Sequence, residues 1–83
     1  MSNSAATVDV IPRVERAFKK TFGRQIAFTT AVDRKSEPRW TSLKHVEFII
    51  ALEVEFGIRF DGADATDMTS VAAVCERVRQ RLS

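Results

Sequence analysis

The sequence predicts an all-α fold, a small four-helix bundle of three long helices and one short helix. In three segments of the chain, apolar residues recur every three or four positions. Residues typical of helix ends flank these segments. Alternation of apolar and polar residues, as in strands, does not continue beyond a few residues. We expect a single domain over residues 1–83, with residues 1–7 disordered.

The first helix is predicted from apolar residues at helical spacing: Val8, Ile11, Val14, Phe18 and Phe22. Asp9 or Thr7 can cap its start, and Pro12 then falls in the first turn, where its missing amide hydrogen costs little. Gly23 is expected to end the helix. Residues 24–41 show no period and are predicted to form an ordered loop, attached to the helices by Ile26, Phe28, Val32 and Trp40.

The last third of the chain predicts a short helical turn and a final helix. The turn follows through Asp61 to Asp67. Thr69 or Ser70 can cap the final helix, which runs to Leu82. Five apolar residues form its predicted core face: Val71, Val74, Cys75, Val78 and Leu82.

The second helix, predicted from Thr41/Ser42 to Phe56-Gly57, carries two apolar faces. On a helical wheel one group spans about 100° and is the predicted core face: His45, Phe48, Ile49, Leu52 and Phe56. A second stripe lies on another side of the helix: Leu43, Val46, Ile50 and Val54. A helix in so small a domain is not expected to be buried on both faces. The stripe is therefore either partly covered by neighbouring helices or left for a partner.

The composition excludes several kinds of site. One cysteine, Cys75, permits no internal disulfide, and one histidine, His45, cannot assemble a zinc cluster or a catalytic triad. We interpret Cys75 as a buried small apolar residue, His45 as a residue at the core edge and Trp40 as a packing anchor. No metal site is expected.

The distribution of charge and apolar residues bears on location and partners. Residues 41–68 contain two Lys/Arg and six Asp/Glu, whereas the basic residues are spread through both ends of a chain of net charge +2. This spread argues against nucleic-acid binding, which favours one basic element. The longest apolar run, Phe48–Leu52, is too short to span a bilayer. Residues 1–7 do not resemble a secretory signal, so we predict a cytoplasmic protein.

Ser42 stands at the start of the second helix and has two interpretations. It can be the helix N-cap, as many serines before an apolar period are. However, Thr41 could perform that role alone. A hydroxyl at a helix N-terminus can also carry a phosphate, which the free amide groups and the helix dipole favour.

The stretch from Trp40 to Phe60 closely resembles the core of the acyl carrier protein family. That family has Asp-Ser-Leu at the start of its second helix and Glu-Glu-Phe-Gly at the end. The matching residues here are Ser42-Leu43 and Glu53-Val54-Glu55-Phe56-Gly57. Met68-Thr69-Ser70-Val71 is similar to the family's entry into the last helix. The resemblance covers residues 8–82 and is specific over residues 40–60 and 68–71.

The resemblance implies a carrier that catalyses nothing itself. A phosphopantetheinyl transferase would attach 4'-phosphopantetheine to Ser42, and the arm would carry an acyl or aminoacyl group as a thioester. A loading ligase and an acyltransferase or synthase would be further partners of the monomer. Glu47, Glu53 and Glu55 would attract basic partner surfaces. Docking would use the stripe and one carboxylate: Leu43, Val46, Glu47, Ile50 and Val54.

Three positions differ from the family pattern. Thr41 replaces the usual Asp, and Lys44 and Val54 stand where acidic residues are common. The arrangement Trp-x-Ser-Leu-x-His-Val is similar to discrete carriers of specialised lipid, polysaccharide or secondary-metabolite pathways. Two alternatives remain open: an unmodified interaction module of the same fold, supported by Thr41, and a small basic DNA-binding domain, supported by Arg77, Arg79 and Arg81.

Overall fold

The computed structural model describes residues 9–82, and this part of the chain forms four helices. They are α1 (Ile11–Phe22), α2 (Ser42–Phe56), α3 (Gly62–Asp67) and α4 (Val71–Leu82). Between residues 9 and 82 there is no strand, only an isolated antiparallel bridge between Asp33 and Ser70. The predicted all-α class is therefore confirmed. The predicted disorder of residues 1–7 and the predicted roles of Thr7 and Val8 lie outside the described residues.

The ends of α1 follow from residues with special backbone properties. The Asp9 Oδ1 atom accepts a hydrogen bond of 3.0 Å from the amide of Ile11, although the N-cap position itself is Val10, whose side chain makes no cap bond. Pro12 lies in the first turn as predicted. Gly23 ends α1 with a φ of 62°, a conformation that glycine adopts without strain.

The other helices begin at polar caps. Thr41 is the N-cap of α2, and its Oγ1 atom accepts a hydrogen bond of 3.2 Å from the Lys44 amide. Asp61 and Asp64 form a reciprocal capping box at the start of α3, with N–O distances of 2.8 and 3.0 Å. At the start of α4, the side chain of Ser70, rather than that of Thr69, accepts a hydrogen bond of 3.0 Å from the Ala73 amide. The predicted bounds of α2, α3 and α4 are therefore confirmed within a residue.

Aromatic side chains join α1, α2 and the loop between them. The rings of Phe18 and Phe48 meet edge to face with centroids 5.6 Å apart. Trp40 packs against Phe22 and Phe48 at 5.6 and 5.7 Å and is 2% exposed. It is thus the packing anchor that the sequence predicts. Phe28 adds a second loop contact, 5.2 Å from Phe18.

The long loop is also attached to α4. The Arg34 amide donates to the Thr69 carbonyl at 2.9 Å, and the Val71 amide donates to the Val32 carbonyl at 3.0 Å. Ile26 is buried and Val32 packs against the core. These contacts confirm an ordered loop. They also place residues 32–34 beside the start of α4.

One predicted core residue is exposed. The other four residues of the predicted α4 core face are buried, but Leu82 is 45% exposed. It lies on the same side of the helix one turn beyond Val78, the last buried residue of α4, so no part of the core reaches it. None of the described helices is long and apolar enough to cross a membrane.

Candidate functional site

The Ser42 hydroxyl lies at the first residue of α2 and is exposed. Because Thr41 caps the helix, the Ser42 side chain is not needed for that role. Its Oγ atom instead accepts a hydrogen bond of 2.9 Å from Nη2 of Arg34. The N-cap interpretation of Ser42 is therefore wrong, because Thr41 is the N-cap. It leaves an accessible hydroxyl beside a guanidinium group.

Arg34 is a site residue that the sequence does not indicate. Its Nε–H donates to the Trp40 carbonyl at 3.3 Å, while its own amide is bonded to Thr69. The side chain is therefore held at both ends, and its charge faces Ser42. An arginine in a loop without periodicity gives no sequence signal for such a contact.

The second apolar stripe of α2 is exposed along its whole length. Its four side chains are between 54% and 73% exposed: Leu43, Val46, Ile50 and Val54. The five residues of the predicted core face are all buried. Neighbouring helices therefore do not cover the stripe, which begins one residue after Ser42. A contiguous apolar surface of this kind is typical of a docking site.

The stripe has a charged edge and a shallow depression. Lys44 pairs with Glu47 at 3.3 Å and donates to the Thr21 carbonyl at 3.1 Å, which ties this edge to the end of α1. The depression lies near the other end of α2 and is lined by Ile50, Glu53, Val54, Gly57, Ile58 and Arg59. The apolar stripe thus continues from the Ser42 end of the helix to a concave surface.

Two of the three carboxylates expected to attract a partner, Glu53 and Glu55, make contacts within the molecule. The Glu55 side chain is 9% exposed and pairs with Arg13 and Arg16 at 3.1 and 3.2 Å. The Glu53 carboxylate accepts a hydrogen bond of 2.8 Å from the amide of Phe60. The expectation is therefore wrong for Glu55, whose carboxylate is largely buried and paired with two arginines. For Glu53 it stays a prediction, because that partly buried carboxylate has no ion-pair partner among residues 9–82. Glu47 has a side chain that is 45% exposed and remains available to a partner.

His45 connects the first turn of α2 to two neighbouring elements. Its Nδ1 atom accepts from the Trp40 indole N–H at 3.0 Å, so its Nε2–H is the donor to the Ala65 carbonyl at 2.8 Å. The ring is 7% exposed. His45 is thus a buried structural residue, as predicted, and it fixes the orientation of the helix that carries Ser42.

The C-terminal arginines contact α3. Arg77 and Arg81 both pair with Asp64, which is 3% exposed, and Arg77 also pairs with Asp67 at 3.1 Å. The hydrogen bond from the Asp61 amide, aided by both guanidinium groups, lowers the pKa of Asp64 to about 2 despite its burial. Arg79 also pairs with Glu76 at 3.7 Å, so all three arginines that support a DNA-binding alternative form ion pairs within the molecule.

Cys75 is 2% exposed, and burial raises the pKa of its thiol. Such a thiol is poorly reactive, so the cysteine is a core residue as predicted. Across residues 9–82, no three His, Cys, Asp or Glu side chains are grouped closely enough to hold a metal ion. Comparison with known proteins gave no match to a family model, a curated protein or a solved structure.

Proposed function

We propose that this chain is an acyl carrier protein whose Ser42 carries 4'-phosphopantetheine. The observation that supports this best is the exposed Ser42 hydroxyl at the head of a helix with an exposed apolar stripe. The cap is supplied by Thr41, so modification of Ser42 would leave the helix start intact. The resemblance of residues 40–60 to the carrier family agrees with this arrangement.

The chemistry requires a nucleophilic oxygen that a modifying enzyme can reach. The Ser42 Oγ atom attacks the β-phosphorus of coenzyme A, a new O–P bond forms, and adenosine 3',5'-bisphosphate leaves. A base of the transferase takes the hydroxyl proton. The amide groups at the start of α2 would then favour the negative charge of the new phosphodiester. When attached, the group supplies a terminal thiol that carries an acyl or aminoacyl group as a thioester.

The partners would bind next to Ser42. Leu43 and Ile50 would be desolvated in the contact, and Glu47 would add a charge at its edge. These partners are a phosphopantetheinyl transferase, a loading ligase, and an acyltransferase or synthase. Because attachment keeps the cargo close to each active site, weak docking is sufficient for transfer. We propose a monomer in the cytoplasm that serves a specialised lipid, polysaccharide or secondary-metabolite pathway.

The test is modification in vitro. Incubation with coenzyme A and a broad-specificity phosphopantetheinyl transferase should add one phosphopantetheine, detected by intact-protein mass spectrometry. Ser42→Ala should abolish the addition and keep the helical circular dichroism spectrum, because Thr41 still caps α2. Ser36→Ala, at an exposed loop serine, is the matched control and should be modified normally. Failure of the wild-type chain with several transferases would count against the carrier function.

An unmodified interaction module is the second candidate. It is favoured by the Arg34 hydrogen bond, which already engages the Ser42 oxygen, and by Thr41 in place of the family's Asp. In that case the apolar stripe would dock a partner without any attached group. A chain that resists every transferase but binds a partner through Ile50 would have this function.

A further inference from the structure

We infer that Arg34 is the phosphate-binding residue of the modification site at Ser42. The inference rests on the proposed function, because it concerns the group that the carrier would hold. The ligand is the phosphate bonded to the Ser42 oxygen. Arg34 would hold this phosphate and thereby orient the beginning of the attached arm.

The geometry supports this role directly. The Arg34 Nη2 atom is 2.9 Å from the Ser42 Oγ atom, which is the oxygen that would bond to phosphorus. The non-bridging phosphate oxygens would therefore lie within reach of the same guanidinium group. An arginine has five N–H donors in a planar fork that matches phosphate oxygens, and the contact with the Trp40 carbonyl uses one of them.

The position of Arg34 is set before any phosphate is present. Its amide is bonded to the Thr69 carbonyl at 2.9 Å and its Nε–H to the Trp40 carbonyl. Trp40 is itself fixed in the core and bonded to His45. Since the side chain is already ordered, little conformational entropy would be lost when it binds an anion.

The charge of Arg34 is also uncompensated. Among residues 9–82, no carboxylate lies within ion-pair distance of its guanidinium group. Arg13, Arg77 and Arg81, by contrast, all pair with carboxylates. A phosphate on Ser42 would supply the missing negative charge at the one side-chain oxygen that Arg34 contacts.

The experiment uses the full chain with phosphoserine incorporated at position 42, which requires no transferase. A ³¹P NMR titration measures the second pKa of this phosphate, ordinarily about 6. In the wild-type background the guanidinium should favour the dianion and lower that pKa by about half a pH unit relative to Arg34→Gln. Arg39→Gln is the matched control, because Arg39 also donates to a loop carbonyl, that of Gln25, but does not contact Ser42.

A second measurement needs no variant. In the otherwise wild-type chain, phosphorylation at position 42 should shift the Arg34 Nε–H resonance more than the Arg39 Nε–H resonance. Equal phosphate titrations in the Arg34→Gln and wild-type backgrounds, or an unmoved Arg34 resonance, would overturn the inference. Since this result does not depend on coenzyme A, it is separate from a failure of Ser42 to be loaded.

Discussion

The two faces of α2 are both apolar, but one is buried and the other is exposed. Phe48 and Leu52 are fully buried, whereas Val54, only two residues beyond Leu52, is 73% exposed. The covered face packs against α1 and Trp40. The uncovered face begins beside Ser42. Apolar character is therefore shared by the buried face and by the exposed face, and the exposed face is the one next to the Ser42 hydroxyl.

A charge on the covered face of α2 should reduce the stability of the fold most. Leu52→Glu places a carboxylate among apolar side chains without a partner, which costs more than about 3 kcal/mol. A domain of this size has little stability to lose, so the variant should be unfolded at 25 °C. Circular dichroism and thermal melting measure this. A melting temperature near that of the wild type would show that Leu52 is not a core residue.

The next largest loss of stability is expected in α3, whose Ala65 carbonyl accepts a hydrogen bond from His45 of α2. The pKa of Asp64 is lowered from 3.8 to about 2, so its charged form stabilises the fold. This contribution is fully present above pH 3.8 and is lost as the pH falls through about 2. Asp64→Asn should therefore melt at a lower temperature than the wild type at pH 7.

Melting curves between pH 7 and pH 2 test the same point. The difference in melting temperature between the wild type and Asp64→Asn should become smaller at low pH, because Asp64 of the wild-type chain is then protonated. Asp67→Asn, which removes the exposed partner of Arg77, is the control and should have a smaller effect at every pH. A gap that stays constant over this range would refute the assignment of the charged form to Asp64.

Local signals explain why much of the fold can be predicted from the sequence. The covered face of α2 follows from helical periodicity, and the helix ends follow from Thr41 and Gly57. The exposed stripe is indicated because one small domain does not bury two faces of a helix. Leu82 is mispredicted for a related reason: periodicity gives the side of the helix but not how far the core extends along it.

Contacts between distant charged groups could not be predicted. The Arg34 contact with Ser42 depends on where an aperiodic loop passes α2. The pairing of Arg77 and Arg81 with Asp64 depends on how α4 crosses α3. Arginines at such positions have the same sequence signature as arginines in solvent. Only the tertiary arrangement distinguishes the two.

A smaller change in stability is expected from a substitution at the start of the uncovered face. Thr41→Asp keeps an N-cap oxygen for the Lys44 amide and adds a negative charge near the positive end of the helix dipole. We expect a stabilisation of about 0.3–1 kcal/mol and faster modification at the same site. Denaturant unfolding and the initial rate of phosphopantetheine transfer measure these. A slower rate would indicate that Thr41 suits a dedicated transferase.

The smallest effect on stability is expected in the middle of the stripe. Ile50 is 54% exposed, so Ile50→Glu should change the free energy of unfolding by no more than about 0.5 kcal/mol. Transfer to or from a partner enzyme should nevertheless fall, because the charge enters a desolvated contact. Ala72→Glu adds the same charge at an exposed position of α4. Transfer of the carried group to or from the partner enzyme should be normal in this control variant. If Ile50→Glu melts like Leu52→Glu, the stripe is internal packing.

In the proposed function, the helix with two apolar faces presents Ser42 for attachment of a carrier arm. Intact mass measurement of the protein isolated from the cells that produce it, followed by peptide mapping, tests this most directly. We expect one phosphopantetheine, located on the peptide that contains Ser42. A fully unmodified Ser42, in cells whose other carrier proteins are loaded, would contradict it.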